Sequence, residues 1–207
     1  ATEKANALVR MAVINSNFIK PLGEVTVDVN KKALVVGGGI TGMTVALKLA
    51  NQNFEVFLIE KNSVLGGNLR HIYQTLDGTD IQGLLAEYTE KVTSHPLIHV
   101  LTDAKIKEHA GFKGNYKTVI IAVDGKKDVA IEHGVIVIAT GGSELKPHGK
   151  YLYGEDKRVL TQSELEACIM ENQLPTFERC VMIQCVGSRD EKRPYCSRVC
   201  CSTSIKN

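Results

Sequence analysis

The chain of 207 residues is 43% hydrophobic and 23% charged, enough for one sizeable domain and part of another. A formal net charge of +2 with no basic block gives no case for nucleic acid or a membrane surface as partner. No apolar run approaches the roughly 20 residues that span a bilayer, and the opening ATEKANALVR has no signal-peptide character, so a cytoplasmic protein is expected. The missing initiator Met and the halt at CCSTSIKN predict an excised or processed piece.

In chain order, residues 2–19 read as a helix, with Leu8, Met11, Ala12, Phe18 and Ile19 at helical spacings and Pro21 as its stop. The extended segment EVTVDVN leads to a buried strand, ALVV, at Ala33–Val36. GGGITG and a helical run, MTVALKLANQ, follow, and a second strand, EVFLIE, ends in Glu60. Strand, Gly-rich turn, helix and strand make a βαβ unit with a crossover connection. Between Thr79 and Thr93, Ile81, Leu84, Leu85, Tyr88 and Val92 form an amphipathic helix face that His95-Pro96 ends. LIHVLT resumes strand character. Residues 105–139 break into short strands at GFKGN, DGKKD and EHG, and the last strand, VIVIA, runs into TGG. Thr161-Gln-Ser-Glu164 has capping-box spacing ahead of a helix, and a strand, CVMIQC, leads to the cysteine-rich end.

The spacing Gly37-x-Gly39-x-x-Gly42 lies between the first strand and its helix, where a dinucleotide-binding loop must stand. Gly37 permits the tight turn, Gly39 lets the backbone approach a pyrophosphate, and Gly42 lets the helix pack close to the strand. The helix N-terminus offers unpaired N–H groups and a positive dipole end, and Glu60 is placed to accept from ribose hydroxyls. The loop by itself suits NAD or FAD. Two further features favour the flavin: the paired glycines of KNSVLGGNLR, and the Ala139-Thr140-Gly141 turn after the short strands.

With those features, residues 31–146 resemble the two-dinucleotide-domain flavoprotein disulfide reductase superfamily. The resemblance implies that Gly66, Gly67 and Asn68 lie on the flavin side and the Ala139-Thr140-Gly141 turn near the pyrophosphate. It also implies that Ile106 presents its backbone to the adenine. The cofactor-binding set expected is Gly37, Gly39, Ile40, Thr41, Gly42, Glu60, Lys61, Gly66, Gly67, Asn68, Ile106, Ala139, Thr140 and Gly141. In that superfamily a second nucleotide-binding domain opens on another Gly-rich turn. Here only Gly187 stands in VGSRD after the corresponding strand, so a pyridine-nucleotide loop is not expected there.

Six cysteines occur: Cys168, Cys180, Cys185, Cys196, Cys200 and Cys201. A disulfide framework is not expected in a chain this long, and adjacent Cα atoms about 3.8 Å apart fall short of the usual disulfide range of about 4.4–6.8 Å. Cys196 and Cys200 are four apart, so one helical turn would place them on one side. Cys185 joins them to give C-x10-C-x3-C-C. Four sulfurs suit a [4Fe–4S] cluster or tetrahedral zinc, and plain thiols stand as the third reading. Cys168 and Cys180 read as small buried hydrophobes. Arg189, Arg193 and Arg198 read as surface residues, or as positive charge beside the sulfurs. None of the six histidines has a metal-ligand spacing, and none is assigned a role.

QCVGSRDEKRPYCSRVCC, taken with KKALVVGGGITGMTVALKLANQNFEVFLIEKNSVLGGNLR, closely resembles the flavoprotein component of heterodisulfide reductase, the HdrA family of methanogens and many anaerobes. The resemblance implies a methanogenesis-type electron distributor. In that family one FAD takes electron pairs from a hydrogenase- or formate-linked partner, and can split them between heterodisulfide reduction on companion subunits and ferredoxin. It makes Cys185, Cys196, Cys200 and Cys201 the ligands of a [4Fe–4S] cluster and names no catalytic side chain.

The fold expected is α/β, with a Rossmann-like FAD-binding βαβ domain carrying a β-meander insertion, followed by the start of a second, truncated domain. Its parts are an N-terminal helix and linker (1–30), the FAD-binding domain (31–160) and the degenerate nucleotide-binding segment with the cysteines (161–207). Two other functions fit the residues: a non-catalytic zinc-stapled assembly module, and an NADH-dependent disulfide reductase, which lacks its C-x-x-C.

Overall fold

A computed structural model describes residues 2–20, 26–73, 75–122, 128–174 and 176–207. Four parallel strands form the central sheet. They are β1 (Lys32–Val36), β2 (Glu55–Ile59), β3 (Ile98–Leu101) and, much later in the chain, β7 (Val135–Ile138). Their order is β3-β2-β1-β7, so the sheet grows outward from β1 in both directions, as in Rossmann-like folds. Register is continuous, with Leu34 beside Phe57 on one flank and Ile136 on the other. Both central strands read as apolar runs because both faces of the sheet are covered.

One face carries helix α2 (Ile40–Ala50) and helix α3 (Ile81–Ser94), which bury Met43, Ala46, Ala50, Leu85 and Val92 against Val35, Val56 and Leu58. Asp80 caps α3, its Oδ1 accepting from the N–H groups of Gln82 and Gly83 at 3.0 Å each. The other face is covered by the antiparallel strands β4 (Ala104–Phe112), β5 (Asn115–Ala122) and β6 (Val129–His133). There Leu34 and Ile59 pack on Ala104, Ile120 and Ile131. The alternation along β1 decides this: Ala33 and Val35 join the helical side while Leu34 joins the meander. The Rossmann-like α/β fold expected from the sequence is thus the fold observed.

Helix α4 (Gln162–Met170) starts at the expected capping box. The Thr161 hydroxyl accepts from Glu164 N–H, and the Glu164 carboxylate accepts from Thr161 N–H at 2.8 Å.

Three expectations about helices and strands differ from the structure. Helix α1 (Thr2–Ser16) ends before residue 19 and buries none of its residues; Met11 is 56% and Phe18 is 74% exposed, so the apolar periodicity there finds no surface to pack on among the described residues. The expected stop, Pro21, lies outside the described residues. CVMIQC forms no strand, because no neighbouring strand among the described residues offers it a ladder, and Val181 is 83% exposed. No helical turn joins Cys196 to Cys200: Arg198 has φ 62°, outside the right-handed helix, and helix α5 (Cys200–Lys206) begins only at Cys200. Among the described residues no helix is long and apolar enough to cross a membrane.

Candidate functional site

The site stands at the carboxyl ends of the parallel strands, where open α/β sheets bind their ligands. Gly37 leaves β1 with φ 110°, and its N–H donates to Ile59 carbonyl at 2.8 Å. A Cβ built on Gly37 would lie 2.3 Å from Ala139 carbonyl oxygen, and one on Gly42 would lie 1.8 Å from Gly37 carbonyl oxygen. Both positions therefore require glycine for close backbone packing. Gly39 differs. A Cβ there would meet nothing within 4 Å, and the same holds at Gly141 and Gly142. The loop is thus closed on its protein side and open on the side where α2 begins. Gly39 caps α2 without a side-chain partner, so the first-turn N–H groups of Ile40, Thr41 and Gly42 face the opening with the positive end of the helix dipole.

Glu60 follows β2 and is only 5% exposed. Its Oε2 accepts from Gly38 N–H at 2.7 Å and its Oε1 from Asn62 N–H at 2.9 Å. These bonds orient the carboxylate against the Gly loop while leaving each oxygen a lone pair. Lys61 beside it is exposed. Ala104 N–H donates to Glu60 carbonyl at 2.9 Å, which anchors β4 here and brings Ile106, two residues on and 37% exposed, to the same end of the sheet.

The second glycine pair sits directly on the first loop. Gly66 N–H donates to Gly38 carbonyl at 2.8 Å, Gly66 pairs with Gly39, and a Cβ on Gly67 would lie 3.2 Å from Gly39 Cα. Gly66 and Gly67 take φ 116° and 52°, a left-handed reversal that turns the chain into a short 3-10 helix at Gly67–His71. Asn68 Nδ2 donates to Gly142 carbonyl at 3.2 Å, so the strap from Gly66 also meets the turn of Ala139, Thr140 and Gly141. The structure therefore brings three glycine segments to one opening. Sequence reasoning missed Gly38 and Asn62, which orient Glu60, and Gly142. The TGG triplet was the available signal for Gly142.

The cysteines form a separate group. Cys185 (φ 59°), Gly187 (φ 70°) and Arg189 (φ 56°) reverse the chain, and Arg189 N–H donates to Tyr195 carbonyl at 3.2 Å, returning the loop toward Cys196. Asp190 Oδ1 holds the tip by accepting from Lys192 and Arg193 N–H groups at 3.0 and 2.8 Å. Arg198 N–H donates to Cys196 Sγ at 3.3 Å, and Ser197 hydroxyl meets Cys200 Sγ at 3.6 Å. The Ser197 hydroxyl pulls the Cys200 thiol below the usual range. Cys201 is pushed up, first by Cys200, then by burial, and further by Cys185 and Cys196.

They are neighbours rather than a closed shell: among the described residues no three His, Cys, Asp or Glu side chains stand as a metal-holding group. The donor set itself, four soft thiols on one loop and helix, suits a four-sulfur centre in type and number. Cys168 is half-buried on α4 and Cys180 is exposed, so the expected burial of Cys180 is not what the structure shows.

Comparison with known proteins adds three findings. A family model described as an NAD(P)-binding Rossmann-like domain matches residues 35–89. The HdrA component of the H(2):CoB-CoM heterodisulfide,ferredoxin reductase of Methanothermobacter thermautotrophicus is 29% identical across the whole of this chain, which covers 45% of that protein. The HdrA component of the H(2)/formate:CoB-CoM heterodisulfide,ferredoxin reductase of Methanococcus maripaludis is 27% identical with the same coverages. Among solved structures, L-proline dehydrogenase from P. horikoshii aligns with 58% of this chain and 25% of its own at 23% identity and a TM-score of 0.47. The chain spans about half the length of the curated relatives it matches. The similarity extends over the whole chain, taking in both the glycine loop and the cysteine-rich end, so the chain is similar throughout to the HdrA components of heterodisulfide reductases.

Proposed function

We propose that this chain is the flavin-binding, electron-transferring part of an oxidoreductase, with FAD in the glycine cradle and a [4Fe–4S] cluster on Cys185, Cys196, Cys200 and Cys201. The observation that carries the reading is the asymmetry of the loop: protein backbone fills the Cβ positions of Gly37 and Gly42, while those of Gly39, Gly141 and Gly142 face open space, and the buried Glu60 carboxylate is held on Gly38 N–H. Such a space has room for a pyrophosphate against backbone and an acceptor for ribose hydroxyls. FAD supplies hydride and one-electron chemistry when bound, and the protein binds and orients it.

In this reading the N–H groups of Ile40, Thr41 and Gly42 hold the pyrophosphate. Glu60, oriented by Gly38 and Asn62, accepts from ribose hydroxyls, and Ile106 borders the adenine end beside Lys61. The strap of Gly66, Gly67 and Asn68, tied to Gly142, carries the flavin side, where a glycine backbone admits the closest approach. This second strap, which an NAD site does not need, supports FAD over NAD(P). The cysteines supply an acceptor for single electrons, so no side chain is required to act as acid, base or nucleophile.

The relatives' names mention hydrogen, formate, CoB-CoM heterodisulfide and ferredoxin. We extend to this chain a hydrogenase- or formate-linked donor, companion heterodisulfide reductase subunits and ferredoxin as partners, within a cytoplasmic complex. The test is the absorption spectrum and metal content of anaerobically purified protein. Flavin bands with a broad iron–sulfur shoulder are expected. A colourless protein overturns the reading, and one zinc per chain without iron or sulfide replaces the cluster by a staple.

A further inference from the structure

Glu166 takes no part in the site described above, yet it is 3% exposed and carries a carboxylate. It lies on α4, and its Oε1 accepts from Tyr73 N–H at 2.7 Å. The same oxygen is paired with Lys206 Nζ, an ion pair whose side chains are only 4% and 9% exposed. Tyr73 ends the strap that starts at Gly66 and Gly67. Lys206 ends α5, the helix that starts at Cys200 and Cys201. One carboxylate oxygen therefore joins the segment that borders the flavin side of the cradle to the helix that carries two of the four clustered thiols.

The far side of this junction is held as one body. Gln184 Nε2 donates to Ser204 Oγ at 2.5 Å, tying α5 to the residue before Cys185. Asn207 Nδ2 donates to Gln162 carbonyl and Oε1 at 3.2 and 3.1 Å, tying the end of α5 to the start of α4. A shift of α5 thus carries α4, and Glu166 with it. Because Tyr73 N–H and Lys206 share Oε1, that shift is felt at the strap. A buried carboxylate left with one partner removed is strongly disfavoured, so the two contacts stand or fall together.

We infer that Glu166 and Lys206 are positioning residues that couple the two cofactor sites, so that filling either one orders the other. The inference rests on the reading that the cradle takes FAD and the thiols take an iron–sulfur centre. Linkage makes the effect mutual: if a loaded sulfur centre tightens FAD, FAD tightens the sulfur centre by the same factor. A simple structural staple would lower stability without linking the two affinities.

The experiment has two arms on the whole chain. In the cofactor-free protein, hydrogen exchange is followed in peptides covering 67–73 and 200–206. Lys206→Met and Glu166→Gln are each expected to speed exchange in both peptides together by about tenfold or more, Lys206→Arg to restore protection, and Lys91→Met, which removes the exposed Lys91–Glu87 pair, to change neither. Unchanged exchange at 67–73 in a folded Lys206→Met chain overturns the inference. In the second arm FAD affinity is measured before and after iron–sulfur reconstitution. A tightening of about fivefold or more is expected in the native chain and its loss in Lys206→Met. A ratio that survives the substitution overturns the coupling. A native chain that binds no FAD at all overturns the proposed function instead, and the exchange arm still decides whether Glu166 joins strap to helix.

Discussion

A Cβ on Gly42 would lie 1.8 Å from Gly37 carbonyl oxygen, whereas one on Gly39, three residues earlier, would meet nothing within 4 Å. The two glycines of one motif therefore fail differently. Gly42→Ala forces backbone against backbone and is expected to cost about 1–3 kcal/mol of stability together with FAD binding. Gly39 has φ −77°, open to any residue, so Gly39→Ala is expected to cost at most about 1 kcal/mol as a weaker N-cap. It should nevertheless abolish FAD binding. Urea denaturation beside flavin retention separates the two.

The meander holds a polar relay inside its sheet. His133 Nδ1 donates to Val135 carbonyl at 2.9 Å, which leaves Nε2 to accept from Thr118 hydroxyl at 2.8 Å; that hydroxyl in turn accepts from His109 Nδ1 at 2.8 Å. Thr118 and His133 are fully buried. Thr118→Val strands both imidazoles and is expected to cost about 1–3 kcal/mol, read as a lower urea midpoint.

Burial, with a smaller push from His109, holds the His133 imidazole below its ordinary range. The unfolded chain therefore takes up the proton first. Stability is full above the unfolded value near ~6.5 and falls as pH drops below it toward the depressed folded value. Thermal melts from about pH 7.5 to about pH 5.5 should show this slope, and His133→Asn should flatten it.

Glu164 gives the opposite region of the pH scale. Burial alone would raise its carboxyl, but Thr161 N–H, Tyr153 hydroxyl and Lys146 bring it down to about 2. Its contribution is present above the unfolded value near ~4.3 and is lost as pH falls from there through about 2. Thr161→Ala, which removes the other half of the capping box, is expected to cost about 1 kcal/mol at neutral pH. Circular dichroism of the Glu164→Gln chain, compared with the native one in acid, should show their difference vanish near the lower limit.

Replacing any one of Cys185, Cys196, Cys200 or Cys201 by Ser should remove most of the iron and acid-labile sulfide, because a cluster of this type takes four sulfur ligands. Cys168→Ser and Cys180→Ser should leave both unchanged. Elemental analysis per chain decides, and iron retained in Cys201→Ser would remove that residue from the ligand set.

Much of the βαβ unit was legible because its signals are local. Gly37, Gly39 and Gly42 follow an apolar run, and Ile81, Leu85 and Val92 recur at helical spacing and all are buried. The capping box at Thr161 is likewise written in four consecutive residues. What stayed illegible depends on distant partners. The apolar pattern of α1 says nothing about whether a surface exists to receive it, and CVMIQC has strand composition but no neighbour to pair with among the described residues. Arg198 gives no sequence hint of φ 62°, so the start of α5 at Cys200 was hidden. Glu166 looked like any charged helix position, since its two partners lie 93 and 40 residues away.

The turn that closes over Gly37 comes from Ala139, about a hundred residues later in the chain, after all three strands of the meander. A ribosome therefore delivers the first glycine loop long before it delivers the roof. During synthesis the nascent β1–α2–β2 crossover must wait with one wall missing, and a nucleotide captured early would be held by a half-built nest. If the cradle takes FAD as proposed, insertion waits for the end of folding, and a chain that stalls before β7 should emerge unable to retain it however well its first helix and strands have formed.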